Sequence, residues 1–204
     1  MHVKPSPTLG RVAATDAPPG TRLRLVDEAL RIAAEGGLGA VTHRSVQTAA
    51  GTPHGSVTYW FGSREGLLHA MVDRLVEQCE RRVAPIAAAI QGAYEAGQVP
   101  DVAAVAAGVA AWIDDDRDLH LARLELELAA ARDPALQPRM HDAARVFWRM
   151  CEPLALATGS DDAARDGRAM AAMVDGLLMD RLAHPEQPQD VLVAAIRRVL
   201  SAQP

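Results

Sequence analysis

The chain of 204 residues has few aromatic side chains, few cysteines and no long apolar run. Phe, Trp and Tyr make up 3% of it, whereas hydrophobic residues, many of them alanine, make up 49%. Alanine and leucine lose little conformational freedom in a helix and β-branched residues lose more, so this composition favours helix over strand. We expect an all-α fold with a core that needs no disulfide or metal.

The two cysteines give no sign of a metal site. Cys79 and Cys151 lie far apart, and neither has a Cys or His at metal-ligand spacing. We expect two reduced core thiols, no metal and no cofactor. One acidic cluster raises the question of a metal again, but acidic side chains also favour the first turn of a helix. We expect that cluster to cap and begin a helix; it comprises Asp114, Asp115, Asp116, Asp118 and His120.

The sequence also lacks membrane and export signals. No apolar run reaches the roughly 18 to 20 residues of a membrane span. The first 20 residues are rich in proline and small polar residues and lack the apolar core of a signal peptide. We therefore expect a disordered tail over residues 1–20 and a cytoplasmic protein with no membrane partner.

Basic charge is scarce overall and unevenly distributed. The formal net charge of -5 argues against a protein that binds nucleic acid over its whole surface. Residues 21–82 carry eight Arg and seven acidic residues, whereas residues 83–204 carry 11 Arg and 18 acidic residues. A near-neutral head on an acidic body fits a protein of which only one end meets phosphate.

Helical spacing divides the N-terminal part into short helices. Thr21 is predicted to cap the first, which a Gly-Gly pair ends. Thr42 is predicted to cap a second helix over residues 43–50. Pro53 suits the first position of a third helix, which reaches about residue 61. Ser63 is predicted to cap a fourth.

The rest of the chain reads as helix throughout, giving about nine helices in all. The fourth helix runs to Pro85 or beyond, where proline should kink or end it. Turn residues then separate further helical segments. These segments are predicted at about 85–97, 101–114, 117–132, 138–157, 161–183 and 188–201.

Residues 42–65 have the pattern of a helix-turn-helix. Two short helices flank Gly51, the small residues Ala49 and Ala50 permit a close crossing, and Val46 and Val57 are expected to face inward. Residues 50–67 read AGTPHGSVTYWFGSREGL. This segment resembles, without a gap, the DNA-binding pattern of the TetR/AcrR family of transcriptional regulators. The specific resemblance covers residues 21 to about 70.

That resemblance implies a domain organisation and a function. Residues 21–67 would form a three-helix helix-turn-helix DNA-binding domain, and residues 68–204 a larger helical ligand-binding and dimerisation domain. The homodimer would bind a palindromic DNA operator, most simply as a repressor that a small-molecule effector releases. Activation of transcription remains an alternative.

The resemblance also assigns DNA contacts. The start of the recognition helix would meet base edges, the aromatic pair would hold phosphates, and Arg64 takes the place of a family lysine. Thr58 and Gly62 depart from the family pattern and remove possible backbone contacts, whereas Phe61 is expected to be core. The predicted DNA-binding residues are Thr42, Arg44, Pro53, His54, Gly55, Ser56, Tyr59, Trp60 and Arg64.

Apolar stripes on the body helices lead to two further predictions. The last two helices would pair with their symmetry mates, although packing within one subunit is the alternative. The interface would comprise Met173, Val174, Leu177, Leu178, Leu182, Leu192, Ile196 and Val199. A ligand pocket would be lined by Trp112, His120, Leu124, Leu128, Phe147, Trp148, Met170 and Met173, unless these are only core.

The alternative to a regulator is a helical small-molecule-binding protein or enzyme in which the helix-turn-helix is vestigial. The chain has no Gly-rich phosphate loop, nucleophile elbow or H-E-x-x-H motif. Glu125 and Glu127 are two positions apart on a helix, so they should point to different faces rather than form a carboxylate pair. We expect a regulator and not an enzyme.

Overall fold

The computed structural model describes residues 20–201, which form nine helices and no strand. This confirms the all-α prediction. The helices are α1 Thr21–Gly36, α2 His43–Ala49, α3 Ser56–Phe61, α4 Arg64–Glu95, α5 Val102–Asp115, α6 Arg117–Ala130, α7 Gln137–Ala157, α8 Ala163–Ala183 and α9 Gln189–Ser201. The tail predicted over residues 1–20 lies outside the described residues except for Gly20. Gly20 itself, and not Thr21, is the N-cap of α1.

The main difference from the sequence prediction is the length of α4. This helix spans 32 residues and continues beyond Pro85 to Glu95, so the prediction of a separate helix at 85–97 is wrong. A proline inside a helix removes one hydrogen bond and crowds the carbonyl four residues earlier. Buried side chains on both sides of Pro85, Val83 and Ile90, keep the helix packed across this point.

Two apolar clusters form the core. The first joins α1, α2, α3 and the first half of α4 to residues of α6 and α7. The second joins Ile90 of α4 to α5, α7, α8 and α9. Because α6 and α7 complete the core of the N-terminal helices, the head is packed directly on the body. The predicted domain boundary between residues 67 and 68 falls inside the continuous α4 and stays a prediction.

The predicted dimer residues fall into two groups. Leu178, Leu182, Leu192 and Ile196 are at most 8% exposed and belong to the second core cluster, so this part of the interface prediction is wrong. Their stripes are covered within one subunit, because α9 packs against both α5 and α8. The other four residues reach the surface to some degree: Met173 is exposed, and Val174, Leu177 and Val199 are half-buried.

No helix within residues 20–201 is both long and apolar enough to span a bilayer.

Candidate DNA-binding head and ligand cavity

A reciprocal capping box begins α2. The Thr42 hydroxyl accepts a hydrogen bond from the Ser45 amide at 3.0 Å, and the Ser45 hydroxyl accepts one from the Thr42 amide at 2.9 Å. This pair satisfies two amides that a helix start otherwise leaves unpaired. Thr42 is therefore a helix cap that also lies on the surface, next to the exposed Arg44. Phosphate contact by Thr42 and Arg44 stays a prediction.

The turn between α2 and α3 is longer than the sequence prediction. Pro53 does not begin α3, which starts at Ser56, so the prediction of Pro53 at the first helical position is wrong. Gly55 is the N-cap of α3, and its φ of 91° lies in the left-handed region that favours glycine. Pro53 and His54 are exposed ahead of the helix, and the Ser56 hydroxyl donates to the Pro53 carbonyl at 2.7 Å.

Gln47 is a residue of this site that the sequence prediction missed. It is 5% exposed on α2, and its Oε1 accepts hydrogen bonds from the amides of Gly55 at 2.9 Å and Val57 at 3.2 Å. Gly55 has no side chain with which to cap α3, so the Gln47 carbonyl satisfies the helix start from the neighbouring helix. The available signal was a polar side chain beside Val46, on the face of α2 that packs against α3.

The aromatic residues of α3 point in different directions. Tyr59 is 57% exposed, and its ring lies edge-on to Trp60 with 5.1 Å between centroids. Trp60 and Phe61 are half-buried and pack against the first core cluster, which supports the prediction that Phe61 is a core residue. Tyr59 therefore presents the largest exposed aromatic surface of α3, whereas Trp60 is partly used in holding the helix.

Arg64 ties the start of α4 to the loop that follows α1. Its guanidinium donates to the carbonyl of Leu38 at 2.8 Å and also to the carbonyl of Val41. Both terminal nitrogens thus have backbone partners within the head. A phosphate contact by Arg64, which the resemblance implies, stays a prediction. In the structure Arg64 joins the start of α4 to the loop after α1.

The same loop is bound from the body by Glu125. Its Oε2 accepts the Leu38 amide at 3.0 Å, so Leu38 is held through its carbonyl by Arg64 and through its amide by α6. Glu127, two residues further along α6, lies instead on the wall of a cavity. The prediction that the two carboxylates face different ways is confirmed.

That cavity lies within the body and has a volume of about 70 Å³. Its wall is mostly apolar and comes from α4 to α9. Three of the predicted pocket residues, Trp112, Phe147 and Trp148, line it, and their contact with a ligand stays a prediction. The rings of Trp112 and Phe147 are nearly parallel, with an interplanar angle of 16° and centroids 5.8 Å apart.

The other five predicted pocket residues do not line this cavity. His120 is fully buried behind Trp112, and Met170 is part of the second core cluster. Leu124 is half-buried beside that cluster, whereas Leu128 and Met173 are exposed. Helical spacing marked these side chains as inward, but the wall of the cavity uses a different face of α6 and α8.

One ion-pair cluster interrupts the apolar wall. Arg123, with its side chain 7% exposed, donates to Glu127 at 2.7 Å and to Asp175 of α8 at 2.7 Å. Burial alone would lower the pKa of Arg123, but Asp175 and Glu127 outweigh it and the pKa is raised. Burial raises the pKa of Glu127, against the effect of Arg123.

Buried polar atoms without partners accompany this cluster. Within residues 20–201, Arg123 Nε, Trp112 Nε1 and His120 Nδ1 have no hydrogen-bond partner. Burial, and next the charge of Arg123, lower the pKa of His120 to about 4, so its imidazole is neutral at pH 7. Unsatisfied buried polar groups are costly. Of the residues that carry them, Arg123 and Trp112 line the cavity, whereas His120 and a fourth, His69 with its Nε2, do not.

The acidic cluster at residues 114–120 forms ion pairs rather than caps. Asp116 occupies the N-cap position of α6 but makes no side-chain capping bond and pairs with Arg82 at 2.5 Å. Asp114 pairs with Arg181 at 2.6 Å. The cluster therefore begins α6, as expected, with Asp116 at the N-cap position and Asp118 in the first turn, but the expectation of a side-chain cap is wrong. Among residues 20–201, no three His, Cys, Asp or Glu side chains are grouped to hold a metal.

Both cysteines are buried free thiols in the part of the chain that the structure describes. Burial raises the pKa of Cys79 and of Cys151 to about 12. At neutral pH both are protonated and unreactive, as expected for core thiols.

A helix-turn-helix head packed on an all-helical body with an internal cavity defines a class of ligand-binding transcriptional regulators. Family models support this class over most of the chain. Residues 25–71 match the model for bacterial regulatory proteins of the tetR family, and residues 97–202 match the tetracyclin repressor-like C-terminal domain. The chain belongs to the TetR family of transcriptional regulators.

Individual relatives agree with this assignment. The chain is 29% identical over 161 residues to the HTH-type transcriptional regulator BetI of Burkholderia thailandensis, covering 76% of this chain and 78% of that protein. A transcriptional regulator from a Rhodococcus species has the same fold, with a TM-score of 0.72, 20% identity and coverage of 88% and 93%. The multidrug binding protein EbrR, complexed with malachite green, has a TM-score of 0.67 at 26% identity, with coverage of 89% and 98%.

Proposed function

We propose that this regulator is a repressor that binds a palindromic operator as a homodimer and is released by a small-molecule effector. The proposal rests on the structure of α3 and the exposed side chains around it. The α3 helix is capped by Gln47 and leaves Tyr59 exposed, with His54 exposed in the turn before it and Arg44 on the neighbouring α2. Side chains at the start of a recognition helix read base edges, while flanking groups hold phosphates.

Release by an effector requires a route from the cavity to the head, and α6 supplies one. This helix carries Arg123 and Glu127 on the cavity wall and Glu125 on the Leu38 amide. A shift of α6 caused by an occupant of the cavity would pull on Leu38 and, through Arg64, on the start of α4. The occupant can change the free energy of DNA binding by no more than the difference between its own binding free energies for the two positions of α6.

A homodimer would use the outer face of α8 and α9. Met173 and Met179 of α8 are 45% and 57% exposed, and Val191 of α9 is 50% exposed. Large apolar side chains exposed on neighbouring helices favour burial in an interface. Two-fold pairing through this face would present two copies of α3 to one operator.

The test is fluorescence anisotropy with DNA from upstream of the chain's own gene and the adjacent gene, at two salt concentrations. We expect selective binding that weakens steeply with salt, because phosphate contacts release counterions. Tyr59→Ala should weaken it, whereas Tyr94→Ala, which removes an exposed tyrosine of the body, should not. If these fragments and a random-sequence pool both fail to bind, the proposal is wrong, and a helical small-molecule-binding protein becomes the better account.

A further inference from the structure

The cavity carries an excess of negative charge. Two carboxylates, Glu127 and Asp175, and one guanidinium, Arg123, line it, which leaves a net charge of about -1 when all are ionised. The side chain of Arg123 is 7% exposed, whereas those of Glu127 and Asp175 are 38% and 50% exposed. The carboxylates are therefore the more solvent-exposed charged groups of the wall.

The aromatic side chains of the wall also favour a positively charged ligand. Trp112, Phe147 and Trp148 surround the cavity, and aromatic ring faces attract cations. One of these rings already does so, because the guanidinium carbon of Arg168 lies 4.4 Å from the centroid of Trp148. Ring faces and carboxylates together would stabilise a positive charge within a mostly apolar site.

An anionic ligand suits the same wall poorly. Both terminal nitrogens of Arg123 are occupied by the carboxylates, and only its Nε lacks a partner among the described residues. An anion at either terminal nitrogen of Arg123 would have to displace a carboxylate, and an anion at Nε would lie close to both carboxylates, where like charges repel.

We infer that the cavity binds a small organic cation with an apolar or aromatic body, selected by Glu127 and Asp175. This rests on the proposed function in one respect only, namely that the cavity is the effector site. The ligand class follows from the wall, and the size from the cavity volume of about 70 Å³, which restricts the first occupant to a compact molecule or requires side chains to move.

The test compares three probes of similar size and different charge: phenethylamine, phenylethanol and phenylacetate. Isothermal titration calorimetry on the full chain at neutral pH measures each Kd. We expect the amine to bind about tenfold more tightly than the alcohol, which lies between the effect of an exposed and that of a fully desolvated cation–aromatic contact, and phenylacetate to bind weakest.

Conservative variants then identify which residues cause the preference for the amine. Asp175→Asn and Glu127→Gln should each reduce the preference for the amine over the alcohol to about threefold or less. Asp180→Asn, which removes one negative charge from the same helix outside the cavity, should leave the preference unchanged. Circular dichroism would establish that each variant is folded, and the wild-type comparison of the three probes needs no variant at all.

Equal binding of the three probes, tighter binding of phenylacetate, or no measurable binding of the amine would overturn the inference. So would a preference that persists in both carboxylate variants. Operator binding is measured in parallel: a chain that binds its operator but shows no charge preference refutes the ligand class alone. A chain that prefers the amine but binds no DNA refutes the proposed function alone.

Discussion

Replacing Gln47 by methionine tests whether the recognition helix depends on a cap from α2. Methionine keeps the side-chain length but cannot accept the amides of Gly55 and Val57. The Val57 amide is buried, so it would lose its partner without gaining water, at a cost of about 2 kcal/mol. The Gly55 amide is only partly buried and can be hydrated, so it adds little.

A loss of about 2 kcal/mol should lower the Tm of a chain of this size by roughly 4 to 8 °C. Thermal unfolding followed by far-UV circular dichroism measures this shift, and anisotropy measures the accompanying loss of DNA affinity. The matched control is Gln91→Met on the exposed face of α4, where we expect a change below about 0.5 kcal/mol. Equal Tm values for the two variants, with DNA binding intact in both, would refute the role of Gln47.

Three further predictions concern other parts of the molecule. Because the pKa of His120 is lowered to about 4, the unfolded chain binds a proton there below about pH 6.5 while the folded chain does not. The free energy of unfolding should thus fall by up to about 3 kcal/mol between pH 6.5 and pH 4, and denaturant titrations of His120→Asn should lack this part of the loss. Met173→Glu should dissociate the dimer in sedimentation velocity, whereas Val99→Glu, at an exposed position outside α8 and α9, should not; a dimer that survives Met173→Glu places the interface elsewhere. Glu125→Ala removes the acceptor of the Leu38 amide, so hydrogen exchange of that amide should accelerate while the amides of α5 keep their rates, and unchanged exchange at Leu38 would contradict the link between α6 and the head.

Local sequence patterns predicted the fold class and most of the helix bounds. Every helix from α5 to α9 begins and ends within about two residues of its predicted range, because glycine, proline and helical periodicity mark these bounds locally. Pro85 was misleading because its effect depends on packing along the whole of α4, which no local window contains. The helix-turn-helix was recognisable because its glycine, aromatic and serine positions lie within one continuous segment.

The sites were less predictable because they join distant segments. Apolar spacing cannot distinguish the wall of a cavity from the core behind it, so it identified Trp112 and Phe147 but also included Met170. The polar part of the cavity was missed, since Arg123 and Asp175 meet only when α6 packs near α8. Gln47 was missed for the same reason: its partners lie across a turn whose shape the sequence did not reveal.

Hydroxyl-radical footprinting of the bound DNA tests whether two copies of α3 read one operator. We expect two protected patches related by a two-fold axis, with centres about one helical turn, roughly 34–36 Å, apart or a multiple of it. Protection should be lost on both patches in Tyr59→Ala and kept in Tyr94→Ala. A single asymmetric patch, or protection that is independent of Tyr59, would contradict the account.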